Sequence, residues 1–159
     1  MNTVAPNAPR NFSREAEFIT VTVMGQLLGL PISRVHDVFV VSEMTKVPLA
    51  QAEIAGLLNL RGRVVTAVSL RSRLGLQEEG GAGRRMAVGL EYQGEAYGLL
   101  VDEVGEVLKL NQDEIQPNPV HMDRRWVKLS QGVHQLKDML MIVLDVDAIL
   151  SFEAEREAA

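Results

Sequence analysis

Two stretches of the chain set its rhythm: Glu17–Met24, EFITVTVM, and Arg85–Tyr92, RMAVGLEY. Both alternate or run apolar and carry β-branched residues, the signature of strands rather than of a 3.6-residue helical face. A glycine follows each, Gly25 and Gly94, and then a second apolar run, LLGL or YGLL. A glycine between two strand-like runs predicts a hairpin. Val35 and Val38 come next in the first half, Val104 and Val107 in the second. A short polar stretch then leads to Pro48 or Pro117.

These parallels are a repeat. Sliding the chain by 69 residues sets MGQLLGLPISRVHDVFVV (24–41) on QGEAYGLLVDEVGEVLKL (93–110). Gly25 meets Gly94, Gly29 meets Gly98, Leu30 meets Leu99, Val35 meets Val104, Val38 meets Val107 and Pro48 meets Pro117. The identities fall on turn glycines and apolar positions, as an internal duplication requires. Further on, LAQAEIAGLLNL (49–60) has helix-compatible spacing and precedes the strand RVVTAVSL. SLRSRLGL then closes in a short helical turn ended by Gly75. In the second half WVKLSQGVHQL and MLMIVLDV read as strands, and DVDAILSFEAE as a helix capped by Asp145 or Asp147. Many short strands with few long helices predict a mainly β fold of two small barrels packed together.

The expected boundaries follow. Residues 1–15, with two prolines and few large apolar groups, read as a flexible leader. Residues 16–152 form the folded part, with a first barrel at about 16–80, a second at about 84–144 and a closing helix at about 145–153. Gln77–Arg85, QEEGGAGRR, is the linker-like segment between the barrels, and residues 154–159 are a frayed tail.

Composition narrows the function. There are no cysteines, which removes thiolate chemistry and disulfides. The net charge of −5 argues against nucleic acid, which wants a positive field. The charge is uneven, +1 over residues 1–80 and −6 over the rest, which suits protein partners. No run approaches the length of a membrane span and the N-terminus lacks an apolar signal region, so the expectation is a cytoplasmic protein without membrane insertion. His36, His121 and His134 are dispersed, no nucleophile elbow or P-loop occurs, and GGAG (80–83) lacks the phosphate-loop context. The carboxylates at Asp102, Glu103, Glu106, Asp145 and Asp147 read as solvated strand ends and a helix cap. No catalytic residue, metal site or cofactor is expected.

One segment remains unexplained by a barrel alone. NLRGRVVTAVSLRSRLGL (59–76) is apolar yet carries Arg61, Arg63, Arg71 and Arg73 with no acid among them. With its preceding residues, GLLNLRGRVVTAVSLRSRLGL resembles the signature of the CheW-like family of chemotaxis coupling proteins: a glycine, Asn-Leu-Arg-Gly, a strand, then Leu-Arg-x-x-Leu. YGLLVDEVGEVLKL followed by IQPNP resembles the family's second-half block, and LKDMLMIVLDVDAIL its closing strand and helix. Two positions depart from the pattern: Thr66 stands where the family usually has proline, and Ser69 where it has aspartate.

The resemblance implies two five-stranded SH3-like barrels. It also implies a non-catalytic adaptor that joins the cytoplasmic tips of methyl-accepting chemoreceptors to the regulatory domain of the histidine kinase CheA, and so associates with membrane receptor arrays through its partners. Arg61 and Asp37 match the charged pair that such proteins place at the receptor-facing surface. A guanidinium held by a carboxylate offers a preorganised fork; a structural ion pair is the other reading. Gly56 and Gly62 bracket the motif, either for backbone conformation or for close approach of a receptor helix. Asn59, Val35, Val38 and Leu58, with Leu57, complete the expected receptor-binding set, as a groove for an amphipathic helix. The kinase-binding residues are not singled out. A scaffold of a different chemosensory or pilus-motility pathway stands as the alternative, and a small-ligand-binding β-barrel protein as a third reading.

Overall fold

The computed structural model describes residues 14–60, 62–76 and 85–152 of the chain. Most of the stretch read as a leader, the linker-like segment and the tail therefore lie outside the described residues. Glu15 already pairs with Asn111, so the fold begins inside the expected leader. Strands run in the order β1 (Glu15–Val23), β2 (Gln26–Pro31), β3 (Val35–Val41), β4 (Ile54–Leu60), β5 (Arg63–Ser69), β6 (Arg85–Tyr92), β7 (Glu95–Val101), β8 (Glu103–Asn111), β9 (Ser130–Gln135) and β10 (Leu140–Leu144). Among the described residues three short helices, α1 (Leu70–Arg73), α2 (Arg124–Leu129) and α3 (Val146–Leu150), sit between and after them.

The strands form two five-stranded sheets, β8-β1-β2-β10-β9 and β3-β6-β7-β5-β4. Adding five to each strand number of the second order, and wrapping past ten, gives the first, so the duplication is structural. The hairpin turns agree in detail. Val23 pairs with Gln26 across Met24 (φ 49°) and Gly25 (φ 81°), and Tyr92 pairs with Glu95 across Gln93 (φ 52°) and Gly94 (φ 81°). Positive φ at both central residues is the turn whose twist matches that of the strands.

The barrel boundaries differ from the expected ones. The second sheet is contiguous, residues 35–101, whereas the first takes β1 and β2 from the N-terminal end and β8 to β10 from the C-terminal end. Each half of the repeat therefore starts one barrel and finishes the other. The crossing is abrupt: only the helical turn Ile32–Arg34 separates β2 from β3, and only Asp102 separates β7 from β8. A repeat shows which segments are equivalent, but not which copy a strand pairs with.

This exchange explains why the strands run apolar instead of alternating strictly. Phe18, Met141 and Val143 pack inside the first barrel, and Leu58, Val65, Ala67, Ala87 and Leu100 inside the second. Their chain neighbours Ile19, Ile142, Val88 and Leu99 face the opposite way, into a third and larger cluster shared by both sheets. Strands covered on both faces must be apolar at odd and even positions alike.

Two segments take a different form from the expected one. LAQAEIAGLLNL is not helical: Ile54–Leu60 is β4, paired antiparallel with β5 around an irregularity between Ile54 and Gly56. The spacing that suited a helix is a strand with one extra residue. WVKLSQGVHQL is half helix: α2 ends at Leu129 before β9 begins. Its start was legible in Asp123, whose side chain accepts from the Arg125 amide at 2.8 Å.

The other helix signals hold. Asp145 caps α3 by accepting from the Ala148 amide at 3.1 Å. Ser69, at the equivalent place, caps α1 by accepting from the Ser72 amide, also at 3.1 Å. The serine thus does the work of the aspartate found there in the family pattern. Gly75 (φ 76°) ends α1, with Gly75 N–H donating to Ser72 and Leu76 N–H to Arg71, a left-handed cap that satisfies the last carbonyls. Ser69→Ala is expected to lower stability by about 1 kcal/mol in a urea titration, and Ser69→Asp to retain the cap.

The arginines of α1 face the second half of the chain. Arg71 donates Nε and Nη2 to the two carboxylate oxygens of Asp102 at 3.0 and 2.7 Å. Arg73 donates to the Ala148 carbonyl at 2.9 Å and lies 5.9 Å from the centroid of the Phe152 ring. Asp102 also accepts from the Met24 amide at 2.8 Å. It is therefore not a solvated strand end but the acceptor of a three-bond knot between the barrels.

Candidate partner-recognition site

The end of the second barrel opens into a cleft of ≈ 240 Å³. All five strands of that sheet contribute: His36 and Asp37 from β3, Leu60 from β4, Arg63 and Val65 from β5, Gly89 and Glu91 from β6, Tyr97 from β7. The β3–β6 register shifts between Val35 and Asp37, which leaves His36 as the extra residue and sets Asp37 opposite Gly89. The bulge re-aims the acid. Its Oδ1 lies where a Cβ on Gly89 would be, so the carboxylate rests across the β6 backbone. His36 Nε2 approaches Glu91 Oε1 at 3.3 Å on the same rim. Asp37 and Glu91 carry negative charge into the recess, Arg63 positive charge.

The hairpin joining β4 and β5 borders the same cleft. Leu60 pairs with Arg63 at its end, and both line the recess. Gly62 has φ of 83°, with open space where a side chain would start, so this turn calls for glycine and is accessible. Asn59 is exposed opposite Val64. Arg61 lies outside the described residues; Leu60 before it and Arg63 beyond Gly62 line the cleft that receives Asp37.

The remaining expected contact residues divide. Val38 is exposed, and with Val40 forms an apolar strip on the outer face of edge strand β3. Val35 is half-buried against the shared core. Leu58, 3% exposed, points into the second barrel, so it offers no surface to a partner; its role is packing. Gly56 is also no contact point. A Cβ there would meet Met44 Cγ and the Thr45 carbonyl oxygen, each at 2.6 Å, and Thr45 bridges Leu57 through backbone hydrogen bonds in both directions. The close approach expected at Gly56 is real, but the chain's own segment makes it.

Among the described residues no group of three or more histidine, cysteine or acidic side chains converges to hold a metal ion. His134 lies far from this cleft in sequence and sheet, buried on β9 with Nε2 3.6 Å from Glu114 Oε1. No described helix is long and apolar enough to cross a membrane.

The model of the CheW-like domain matches residues 17–154. The chain belongs to the CheW-like family. It is 29% identical over 143 residues to the chemotaxis protein CheW of Rhizobium meliloti (strain 1021), covering 90% of this chain and 92% of that one. It is 27% identical over 143 residues to the chemotaxis protein CheW of Bacillus subtilis (strain 168), covering 89% and 91%. The crystal structure of the scaffolding protein TtCheW from Thermoanaerobacter tengcongensis superposes with a TM-score of 0.74 at 26% identity, covering 84% of this chain and 91% of that one. The fold is thus the mainly β CheW architecture of two SH3-like five-stranded subdomains with short helices.

Within this CheW-like domain, sequence reasoning found Asp37 and the hairpin but missed the other walls of the cleft. Gly89 and Glu91 belong to no family signature quoted above, and Tyr97 opens the second-half block YGLLVDEVGEVLKL without having been singled out. The repeat held one signal: at the 69-residue offset Gly89 falls on Thr20, a change of size at an otherwise matching strand position.

Proposed function

We propose that this chain is a non-catalytic chemotaxis adaptor that couples transmembrane chemoreceptors to the histidine kinase CheA in the cytoplasm. The observation that carries the reading is the CheW-like match over residues 17–154, joined to a fold that superposes on a scaffolding CheW across most of both chains. The geometry supports it. An adaptor must hold two partners in fixed orientation, and two barrels sharing one apolar core give a rigid body with separate faces. Its regulation of the kinase then follows from relative position, and weak individual contacts add up in an array through effective concentration.

The receptor-facing part of this proposal is the cleft end of the second barrel: Asp37 on β3, Asn59, Arg61 and Gly62 at the β4–β5 hairpin, and Val38 on the outer strip, with Val35 behind it. Arg61 contributes a guanidinium and Asp37 a carboxylate to the partner contact. Gly56 and Leu58 serve the fold beneath.

The test is co-purification of the chain with the CheA regulatory domain and with receptor signalling fragments from the same organism. Retention of both partners, with no ATP turnover by the chain alone, is expected; failure to retain either would sink the adaptor reading. Arg61→Ala should weaken receptor binding by about 1–3 kcal/mol, the range for a charge-assisted hydrogen bond, while the melting curve stays cooperative. Undiminished binding of this variant would remove Arg61 from the contact.

A further inference from the structure

The duplication allows the two barrels to be compared position by position, and at one place they are built oppositely. In the second barrel the inner strand β6 carries Gly89 and the edge strand β3 beside it carries His36 and Asp37 at the bulge. Their equivalents in the first barrel at the 69-residue offset are Thr20 on β1, and Gly105 and Glu106 on β8. There the glycine is on the edge strand. Thr20 Oγ1 occupies the space over Gly105, 2.5 Å from where a Cβ would stand, and donates to the Glu106 carbonyl at 2.8 Å. Thr20 is buried, and Glu106, like Asp37, is exposed. The first barrel is thus plugged at this point by its own hydroxyl. In the second barrel the missing side chain of Gly89 leaves room for the Asp37 carboxylate, on an exposed residue at the cleft rim, to lie across β6.

We propose that Gly89 is a positioning residue for partner recognition: it admits the Asp37 carboxylate into the cleft, and so makes the second barrel, and not the first, the one that reads the receptor. The inference rests on the proposed receptor contact at Asp37 and adds the residue that sets its geometry. Gly89 has no left-handed backbone requirement among the positive-φ glycines, so alanine is compatible with the local chain conformation. What a methyl group meets first is the far end of the short Asp37 side chain. Rotation of that carboxylate out of the cleft relieves the overlap without moving either strand. Gly89→Ala therefore displaces the acid while the fold persists.

The experiment titrates a receptor signalling fragment against four full-length forms, wild type, Asp37→Ala, Gly89→Ala and Asp37→Ala/Gly89→Ala, with a thermal melt of each. Gly89→Ala is expected to weaken binding about tenfold, of the size of one oriented charged contact. In the Asp37→Ala background the same substitution should change nothing further, because the group it displaces is gone; a purely structural role for Gly89 would cost binding equally in both backgrounds. Wild-type binding by Gly89→Ala, or an equal additional loss in the double variant, overturns the proposal while leaving the receptor contact standing. Wild-type binding by Asp37→Ala overturns both. Should Gly89→Ala lose its cooperative melt, recovery of that melt in the double variant supports the contact and absence of recovery refutes it.

Discussion

Arg71→Ala is expected to lower the stability of the folded chain by about 2–3 kcal/mol, more than the loss of an exposed ion pair. The reason is what the guanidinium leaves behind. Asp102 receives two hydrogen bonds from Arg71 and one from the Met24 amide, and its own amide donates to the Thr22 carbonyl at 3.0 Å. It occupies the single residue between β7 of one barrel and β8 of the other, while Met24 lies in the β1–β2 turn and Arg71 in α1 after β5. The knot thus ties three chain segments from both barrels. The two side chains are only 13% and 30% exposed, so water replaces the lost bonds poorly.

The equivalent pair in the other half is an internal control. Asp147 on α3 stands where Arg71 stands on α1, and it accepts from Arg34 at 2.7 Å with the charges reversed. That pair is 35% and 61% exposed. Arg34→Ala is expected to cost no more than about 1 kcal/mol, the ordinary worth of a surface ion pair. Equal losses in urea titrations of the two variants would show that burial of the Arg71–Asp102 pair contributes nothing.

The same pair sets an acid response. Partial burial by itself raises the Asp102 pKa; the Arg71 hydrogen bonds, the Met24 amide and the charges of Arg71 and Arg85 outweigh it and hold the carboxyl below its ordinary value. A carboxyl whose folded-state pKa lies below its unfolded value of about 3.9 stabilises the fold fully above that pH and loses its contribution as pH falls through the folded value. Wild type should therefore lose stability more steeply than Arg71→Ala below about pH 4, and the two curves should converge there.

How much of this was legible without coordinates differs by level. Turn glycines at Gly25 and Gly94 and the β-branched runs before them fixed the hairpins, because a two-residue turn with positive φ has few chemical solutions. Asp145 and Gly75 marked helix ends for the same reason: caps are local. The Asn-Leu-Arg-Gly segment marked the exposed hairpin. What stayed hidden depends on neighbours distant in sequence. Leu58 and Leu57 are adjacent leucines, and only the register of β4 against β5 says which one faces the interior. Gly56 looked like an opening, and it is closed by Met44 and Thr45. Gly89 was unremarkable in its strand until Asp37 lay across it. Asp102 read as a solvated acid since its partner stands 31 residues away on another element.

The exchange of strands between barrels carries the other large prediction. A fragment of residues 1–80 is expected not to fold, although it spans one complete copy of the repeat and the whole of the first barrel that sequence alone delineates. It holds β1 and β2 of the first sheet without β8, β9 and β10, and β3, β4 and β5 of the second without β6 and β7. β3 and β5 are not neighbours in that sheet; β6 and β7 stand between them. The fragment would leave unpaired edges and expose Val21, Leu28 and Val68, all buried in the shared core. The complementary piece, residues 81–159, fails for the mirror-image reason. Each piece supplies the strands that the other lacks, so mixing or co-expressing them should restore what neither has alone: a cooperative thermal transition by circular dichroism and dispersed amide resonances. A cooperative melt of residues 1–80 by themselves would mean that one half can close its own barrel, and that the pairing of β3 with β6 and of β5 with β7 is a choice of the full chain rather than a requirement of its core.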